Sequence, residues 1–366
     1  MNLLVRTRHR FAAHSIMMTT PARKPISIMA FPHAGDSYTD CFYAALKDED
    51  ITVHEGIFAG RWLYQNLRDI DYIHFHWPSF YYNDKSRVQC LYKFSLLLFL
   101  FVLTRIRSVG ILWTVHNLMP HDRCVLPSLD RLARRLLIRL GTRFFVHGPS
   151  AEAEALKTYP GLADRMVQIE HGHWIGYYPN VVDRAEARRT LDISDNDFLY
   201  LFLGACKPYK DLEKLVESFA GLPDTASLFI VGRFMNPDYE ARIRDMVDNA
   251  AGRITLITGF VPDDELQTYF NACDITVLSY AEVLTSGSAM LSLSFGRPVI
   301  APAIGFMRDV IPPECGHLYD NAEPDGLHKA MIDAADKTLD KNTIIEEAKK
   351  YQWAKTAKIV RSALEK

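Results

Sequence analysis

Three short stretches carry residues suited to phosphate and proton chemistry. In "FLGACKPYK" (202–210), Lys207 and Lys210 flank a Pro-Tyr turn directly after an apolar run that ends at Gly204. Two ammonium groups in a strand-to-helix loop can neutralise a diphosphate as compact point charges. The plainer reading is a solvated loop with two surface lysines. In "YAEVLTSGSAML" (280–291), Glu282 precedes Thr285-Ser286-Gly287-Ser288, which open a helical pattern. The free N–H groups of a helix start bind anions where a glycine allows close approach. Ser or Thr at such a place also simply caps the helix. In the first half, "WTVHNLMPHD" sets His116 just past a strand core and Asp122 in the loop beyond it, and "FPHAGDSYTD" offers His33, Asp36 and Asp40. Such groups suit the removal of a proton from a hydroxyl, although a lone His after a strand often serves only as a core hydrogen-bonder. The histidines lack the i, i+4 spacing of a helical ligand pair, so no metal site is expected.

Elements that would position these residues follow from hydrophobic patterning. "PISIMAF" (25–31), "DYIHFHW" (71–77), "GILWTVHN" (110–117) and "TRFFVHG" (142–148) read as strands separated by helical patterns. After "HGHWIGYYPN" the series restarts with 198–204, 227–232, 254–259, 274–280 and 297–302. Alternating strands and helices predict parallel sheets, and two series predict two α/β domains with a cleft between them. Ligands of such sheets bind beyond the carboxyl ends of the strands, where the chemistry-bearing residues fall.

Bulk properties narrow the class further. The 366 residues suffice for two domains, and 48% hydrophobic with 23% charged residues marks a folded rather than a disordered chain. The net charge of −2 divides unevenly: residues 84–143 hold eleven Lys/Arg against three Asp/Glu, +8, which leaves −10 for the rest. Such a stretch suits anionic lipid or phosphate. Within it, "FSLLLFLFVLT" (94–104), bounded by Lys93 and Arg105, reads as a buried core helix or as an in-plane membrane anchor with snorkelling flanks, and no stretch reaches the length of a spanning helix. Six scattered cysteines suggest reduced thiols and a cytoplasmic setting. Residues 1–24 form a basic extension, either a functional arm or an overlong gene start at Met17 or Met18.

In order, "DYIHFHWP", "WTVHNLMPHD", "IEHGHWIGYYPN", "FLGACKPYKDL", "GFVPDDEL", "LTSGSAMLSLSFGRPVIAP" and "YQWAKTAKIV" resemble the GT-B glycosyltransferases, family-4-like (group 1), over about residues 25–366. The resemblance implies an α/β GT-B fold: an acceptor-side Rossmann-like domain over 25–178, a nucleotide-sugar domain over 179–340, and a C-terminal helix over 341–366 returning to the first domain. It implies that Lys207, Lys210 and Thr285, Ser286, Gly287 and Ser288 hold the donor diphosphate. Glu282, Gly204, Phe260, Val261 and His173 would line the nucleotide and sugar, and His116 would lie near the transferred sugar. One departure stands out. Leu291 occupies the place of the second of two glutamates common in this family, so ribose recognition differs and a retaining mechanism loses support. The "TSGSAML" variant resembles the inverting β-mannosyl- and β-glucuronosyltransferases of exopolysaccharide synthesis. The expected reaction is therefore metal-independent, inverting hexosyl transfer from a GDP- or UDP-sugar, with no cofactor beyond that donor and no nucleic-acid partner. Asp122 is the expected base and Asp36 the runner-up. The expected acceptor is a polyprenyl-diphosphate-linked glycan at the inner membrane face, reached through residues 85–143. A GT-B epimerase and an inactive donor-binding support subunit are the alternatives.

Overall fold

The computed structural model describes residues 24–120, 124–250 and 252–365. The basic extension before residue 24 lies outside them, as does the loop 121–123. Two parallel six-stranded sheets organise the chain. The first contains β1 (Ile26–Phe31), β2 (Ile51–Glu55), β3 (Tyr72–Phe75), β4 (Gly110–Thr114), β5 (Arg143–His147) and β6 (Met166–Ile169) in the order β2-β1-β3-β4-β5-β6. The second contains β7 (Phe198–Leu203), β8 (Ala226–Gly232), β9 (Arg253–Thr258), β10 (Ile275–Val277), β11 (Val299–Pro302) and β12 (Gly316–Tyr319) in the order β12-β11-β10-β7-β8-β9. Each order reverses direction once, between β1 and β3 and between β7 and β10. Such switch points open a crevice at the carboxyl ends of the strands.

Patterning misses β2, β6 and β12, and the topology explains why. All three are edge strands. A central parallel strand is covered on both faces and reads as a continuous apolar run, whereas an edge strand need not. Thus β8 is buried throughout, while β2 buries only Ile51 fully.

The apolar helix is longer than its expected core. It spans Arg87–Ile106, twenty residues, and so has the length and composition that could cross a membrane, contrary to the sequence-based expectation. Phe94, Leu97, Leu100, Phe101 and Leu103 join Phe75, Ile111 and Trp113 in the first domain's core. The opposite face leaves Val88, Leu91, Tyr92, Leu98, Phe99, Val102 and Ile106 exposed.

The segment expected as one returning helix is two. Helix Lys341–Ala348 packs on helix Gly287–Ser294 of the second domain, and only helix Trp353–Leu364 crosses back, against helix Ser37–Lys47 and β6. Thr356 Oγ1 donates to Glu170 O at 2.7 Å, Arg143 Nε to Ala363 O at 3.1 Å and Tyr72 Oη to Leu364 O at 3.1 Å. A Cβ on Gly172 would lie 2.1 Å from the Trp353 ring, so only glycine admits this docking. Further along the seam, Asp309 accepts from Ser150 N (3.0 Å) and Ser150 Oγ (2.7 Å). Trp174 joins both halves, its N–H bonding Ser294 Oγ at 2.9 Å and its indole N–H bonding Ser37 O at 3.4 Å.

Candidate active site

At the β7/β10 switch point the chain leaves β7 at Gly204 with φ of 146°, a conformation that favours glycine. A Cβ there would lie 3.1 Å from Lys210 Nζ and 3.2 Å from Ser288 Oγ. Three elements therefore converge on one small cradle: the end of β7, the turn after it and the start of helix Gly287–Ser294. Lys210 is only 6% exposed, its ammonium 5.4 Å from the Phe202 ring centroid and 5.1 Å from that of Tyr280. Burial works against its charge, but the Tyr280 and Tyr209 phenols outweigh that and hold its pKa above the ordinary value. Among the described residues the groups that bear most on it are the Tyr280 and Tyr209 phenols and the Cys206 thiol. A buried cation set over aromatic faces beside a hydroxyl is suited to an anionic ligand.

Local chemistry explains the aim of these groups. Lys210 ends a 3-10 turn, Pro208–Lys210, whose backbone O is held by Ser279 Oγ at 2.7 Å. Asp211 then takes a left-handed conformation (φ 50°) and caps helix Leu212–Phe219 by accepting from Lys214 N. Lys207 is half-buried ahead of that turn. In the second loop Ser286 accepts from Ala289 N at 3.2 Å, so it is the helix cap. The hydroxyl of Ser288 and the first-turn N–H groups of Gly287 and Ser288 are of the kind that can bind an anion. Thr285 Oγ1 reaches across the cleft to His116 O at 3.5 Å.

The remaining expected donor residues are more dispersed. Glu282 and Phe260 are exposed, Phe260 at 76%, while Val261 packs half-buried against the second domain. His173 is pinned at the returning segment: Nδ1 accepts from Ile175 N at 3.2 Å and its O accepts from Trp353 Nε1 at 2.8 Å. Leu291 is half-buried between two apolar clusters.

The facing wall belongs to the first sheet. His116, half-buried past β4, places Nε2 2.9 Å from His76 Nδ1. His76 Nε2 lies 2.8 Å from Tyr43 Oη, which lies 2.9 Å from His74 Nδ1, and His74 Nε2 lies 2.9 Å from Thr114 Oγ1. Tyr38 Oη lies 3.0 Å from His147 Nε2, and the His171 ring lies 5.2 Å from that of His147. Burial lowers every histidine of this group, His74 to about 3 and His171 to about 4, with His76, His116 and His147 well below their usual value. The wall is therefore neutral at physiological pH. Among the described residues no cluster of His, Cys, Asp or Glu is arranged to hold a metal.

Asp36 caps helix Ser37–Lys47, its Oδ1 accepting from Tyr38 N (2.9 Å) and Thr39 N (3.1 Å), so its carboxylate is committed to structure. Burial raises its pKa. Asp122 lies outside the described residues. The first-wall tyrosines and the pairing of His74 with His76 are absent from the sequence reading. A signal for them exists in "YIHFH", where i, i+2 spacing puts both histidines on one face of a strand. A cavity of about 980 Å³ opens at the other end of the first sheet, by Ile26, Tyr72 and Gly110, away from the strand carboxyl ends.

Residues 183–351 match the family model of glycosyl transferases group 1. With two parallel Rossmann-like sheets facing across a cleft and a helix crossing back, the chain has the GT-B fold, and its second half is similar to the group 1 glycosyl transferases. A GDP-mannose:glycolipid 4-beta-D-mannosyltransferase of Xanthomonas campestris pv. campestris is 27% identical over 306 residues, which span 80% of this chain and 78% of that protein. A D-inositol 3-phosphate glycosyltransferase of Streptosporangium roseum is 22% identical over 218 residues, 55% of this chain and 50% of that one. Among solved structures, Anabaena HepE in complex with UDP-glucose shares the fold with a TM-score of 0.70 at 15% identity, over 93% of this chain and 99% of that one. WaaG, a glycosyltransferase involved in lipopolysaccharide biosynthesis, does so with a TM-score of 0.60 at 13% identity, over 93% and 99%.

Proposed function

We propose that the chain transfers a hexosyl unit, with mannose from GDP-mannose as the first candidate, to a lipid-linked glycan at a membrane surface. The observation that carries this reading is the cradle at Gly204, where a buried ammonium and the Ser288 hydroxyl meet a helix start. These groups would hold the donor diphosphate and stabilise the charge that develops as it leaves, with no metal and no cofactor required. Lys207, Thr285 and the Gly287 amide complete that set, and His116 faces the sugar from the other wall. Similarity to a mannosyltransferase named for a glycolipid acceptor supports the substrate class.

A β-linked product from an α-linked donor requires inversion and a base for the acceptor hydroxyl. Asp122 is assigned that role, because Asp36 is engaged as a helix cap. The acceptor's lipid is matched by the exposed stripe Val88, Leu91, Leu98, Phe99, Val102 and Ile106. Arg87 and Arg105 at its ends, with Arg131, Arg135 and Arg139 on helix Pro127–Leu140, are exposed and suit an anionic bilayer. The protein is accordingly assigned to the cytoplasmic face of the membrane, as a peripheral enzyme.

The test is transfer by the purified chain from GDP-mannose, UDP-glucose or UDP-glucuronate to a polyprenyl-diphosphate oligosaccharide. Mannosyl product is expected, and Asp122→Asn should remove it while donor binding persists. Donor binding without transfer would indicate a support subunit, and conversion of a donor without acceptor would indicate an epimerase. Either outcome sinks the reading. Sedimentation with anionic but not neutral vesicles at low salt, weakened by Leu91→Ser/Val102→Ser, checks the membrane assignment.

A further inference from the structure

We propose that His116 presents Nδ1–H to the bound sugar nucleotide as a neutral hydrogen-bond donor, and that Thr114, His74, Tyr43 and His76 are positioning residues that fix this tautomer. The proposal rests on the reading that His116 lines the donor site. It assigns a chemical role that excludes the alternative of His116 as the proton-accepting base.

The argument is a count of protons along one chain. Thr114 Oγ1, His74, Tyr43 Oη, His76 and His116 are linked end to end by four contacts of 2.8–2.9 Å. Each contact holds one hydrogen, and each neutral imidazole carries one N–H. Tyr43 is buried, so its own O–H must also lie in one of these contacts, and with that third condition only two complete orderings remain. In the outward ordering Thr114 O–H donates to His74 Nε2, His74 Nδ1–H to Tyr43, Tyr43 O–H to His76 Nε2, and His76 Nδ1–H to His116 Nε2. The proton of His116 is then on Nδ1. In the inward ordering every donor reverses, His116 Nδ1 becomes a bare lone pair, and His74 Nε2–H donates to Thr114 Oγ1.

The two orderings differ at the buried end. Thr114 is fully buried, and the described residues give its hydroxyl no partner except His74. In the inward ordering the Thr114 O–H is a buried donor with no acceptor. Such a group disfavours its state by about tenfold or more. The outward ordering matches every donor within the chain and leaves open only the His116 Nδ1–H, at the cleft end. A charged ring would break the count, but burial opposes charge on His74 and His76, and on His116 itself. The rings around His116 are Trp77, stacked at 4.8 Å, Tyr38 at 4.7 Å and His147 at 5.5 Å. None is an anion that would draw a second proton to it. Nε2 is occupied by His76, so Nδ1 is the ring nitrogen left for a ligand. A neutral N–H there can stabilise a sugar hydroxyl or a phosphoryl oxygen as charge develops, and the acceptor's proton must go elsewhere.

The test uses the full chain with histidine selectively labelled with ¹⁵N, read by long-range ¹H–¹⁵N correlation. The expected result is His116 with Nδ1 protonated and Nε2 bare, unchanged from pH 6 to 8. Thr114→Val should convert it to a mixture of tautomers, and Thr114→Ser should restore it. A proton on Nε2 in the unmodified chain, or no response to Thr114→Val, overturns the proposal. A kinetic arm tests the role. His116→Asn keeps an amide N–H near the Nδ1 position and should lose less than about tenfold in kcat. His116→Gln and His116→Ala should lose roughly a hundredfold, with KM little changed. Equal loss in all three variants overturns the donor role. Full activity of His116→Ala, with the tautomer as measured, would instead remove His116 from the donor site.

Discussion

On the second domain's wall of the cleft, a buried ammonium, a hydroxyl and a helix start surround Gly204, whereas the first domain's wall is a hydrogen-bonded set of imidazoles and phenols kept neutral by burial. Both walls sit at the switch point of a parallel sheet, and the same topology thus supports opposite electrostatics. In the proposed reaction this difference would divide the labour. Charge that leaves with a nucleotide diphosphate needs a fixed cation, and a sugar's hydroxyls need oriented neutral donors and acceptors. A cation on both walls would bind donor and product alike, without favouring the transition state.

Three perturbations can break or sharpen this contrast. The largest effect is expected for Gly204→Val, whose side chain would occupy the cradle and strain a positive φ. Donor-dependent thermal stabilisation should vanish, while the His116 tautomer on the opposite wall stays as it was; persistent donor binding would show that the cradle is not the diphosphate site. Next, Lys210→Met keeps an apolar stem between Phe202 and Tyr280 and removes the charge. Donor affinity by calorimetry should fall by about 10- to 150-fold, the loss of one charge-assisted contact. A similar loss on the neutral wall from His76→Gln would erase the electrostatic distinction. The smallest effect is expected for Thr285→Ala. Its 3.5 Å bond to His116 O is at the limit of hydrogen bonding, so stability should change by less than about 0.5 kcal/mol, read from urea midpoints.

The walls should also part in their pH behaviour. The folded-state values of His74 (about 3) and His171 (about 4) lie below the unfolded value near 6.5. Above pH 6.5 both states are neutral and the stability is fully present. As pH falls from 6.5 toward 4 the unfolded chain takes up protons that the native wall refuses, and stability declines. The slope is about 1.4 kcal/mol per pH unit for each histidine that stays neutral. His171→Gln should flatten the pH 4–6 limb of a denaturation series, and Lys210→Met should leave it unchanged. An unaltered slope in the histidine variant would show that the neutral wall does not govern acid stability.

Much of the architecture is legible in the chain. Central strands such as "FLYLFL" and "SLFIVG" are buried on both faces, so composition alone reveals them; the edge strands β2, β6 and β12 carry polar residues and do not announce themselves. The lysine turn and "TSGS" are likewise readable, because a helix start after a parallel strand has few chemical uses. Patterning cannot give which serine caps and which lies at the Gly204 cradle, since Ser286 and Ser288 are the same residue type two positions apart. Asp36 looks like a base in sequence and is a helix cap in the fold.

By itself the sequence determined two parallel α/β units and the loops that carry cations and hydroxyls. Each is local, set by hydrophobic period or by residue type at a strand end. Only the tertiary structure decided that Gly204, Lys210 and Ser288 share one cradle and that Thr114, His74, Tyr43, His76 and His116 form one chain. Those groupings join residues from separate elements, brought together by sheet order and by helix Trp353–Leu364 tying the second domain back to the first. Hydrogen bonds over such separations follow from how buried surfaces pack, which no local pattern encodes.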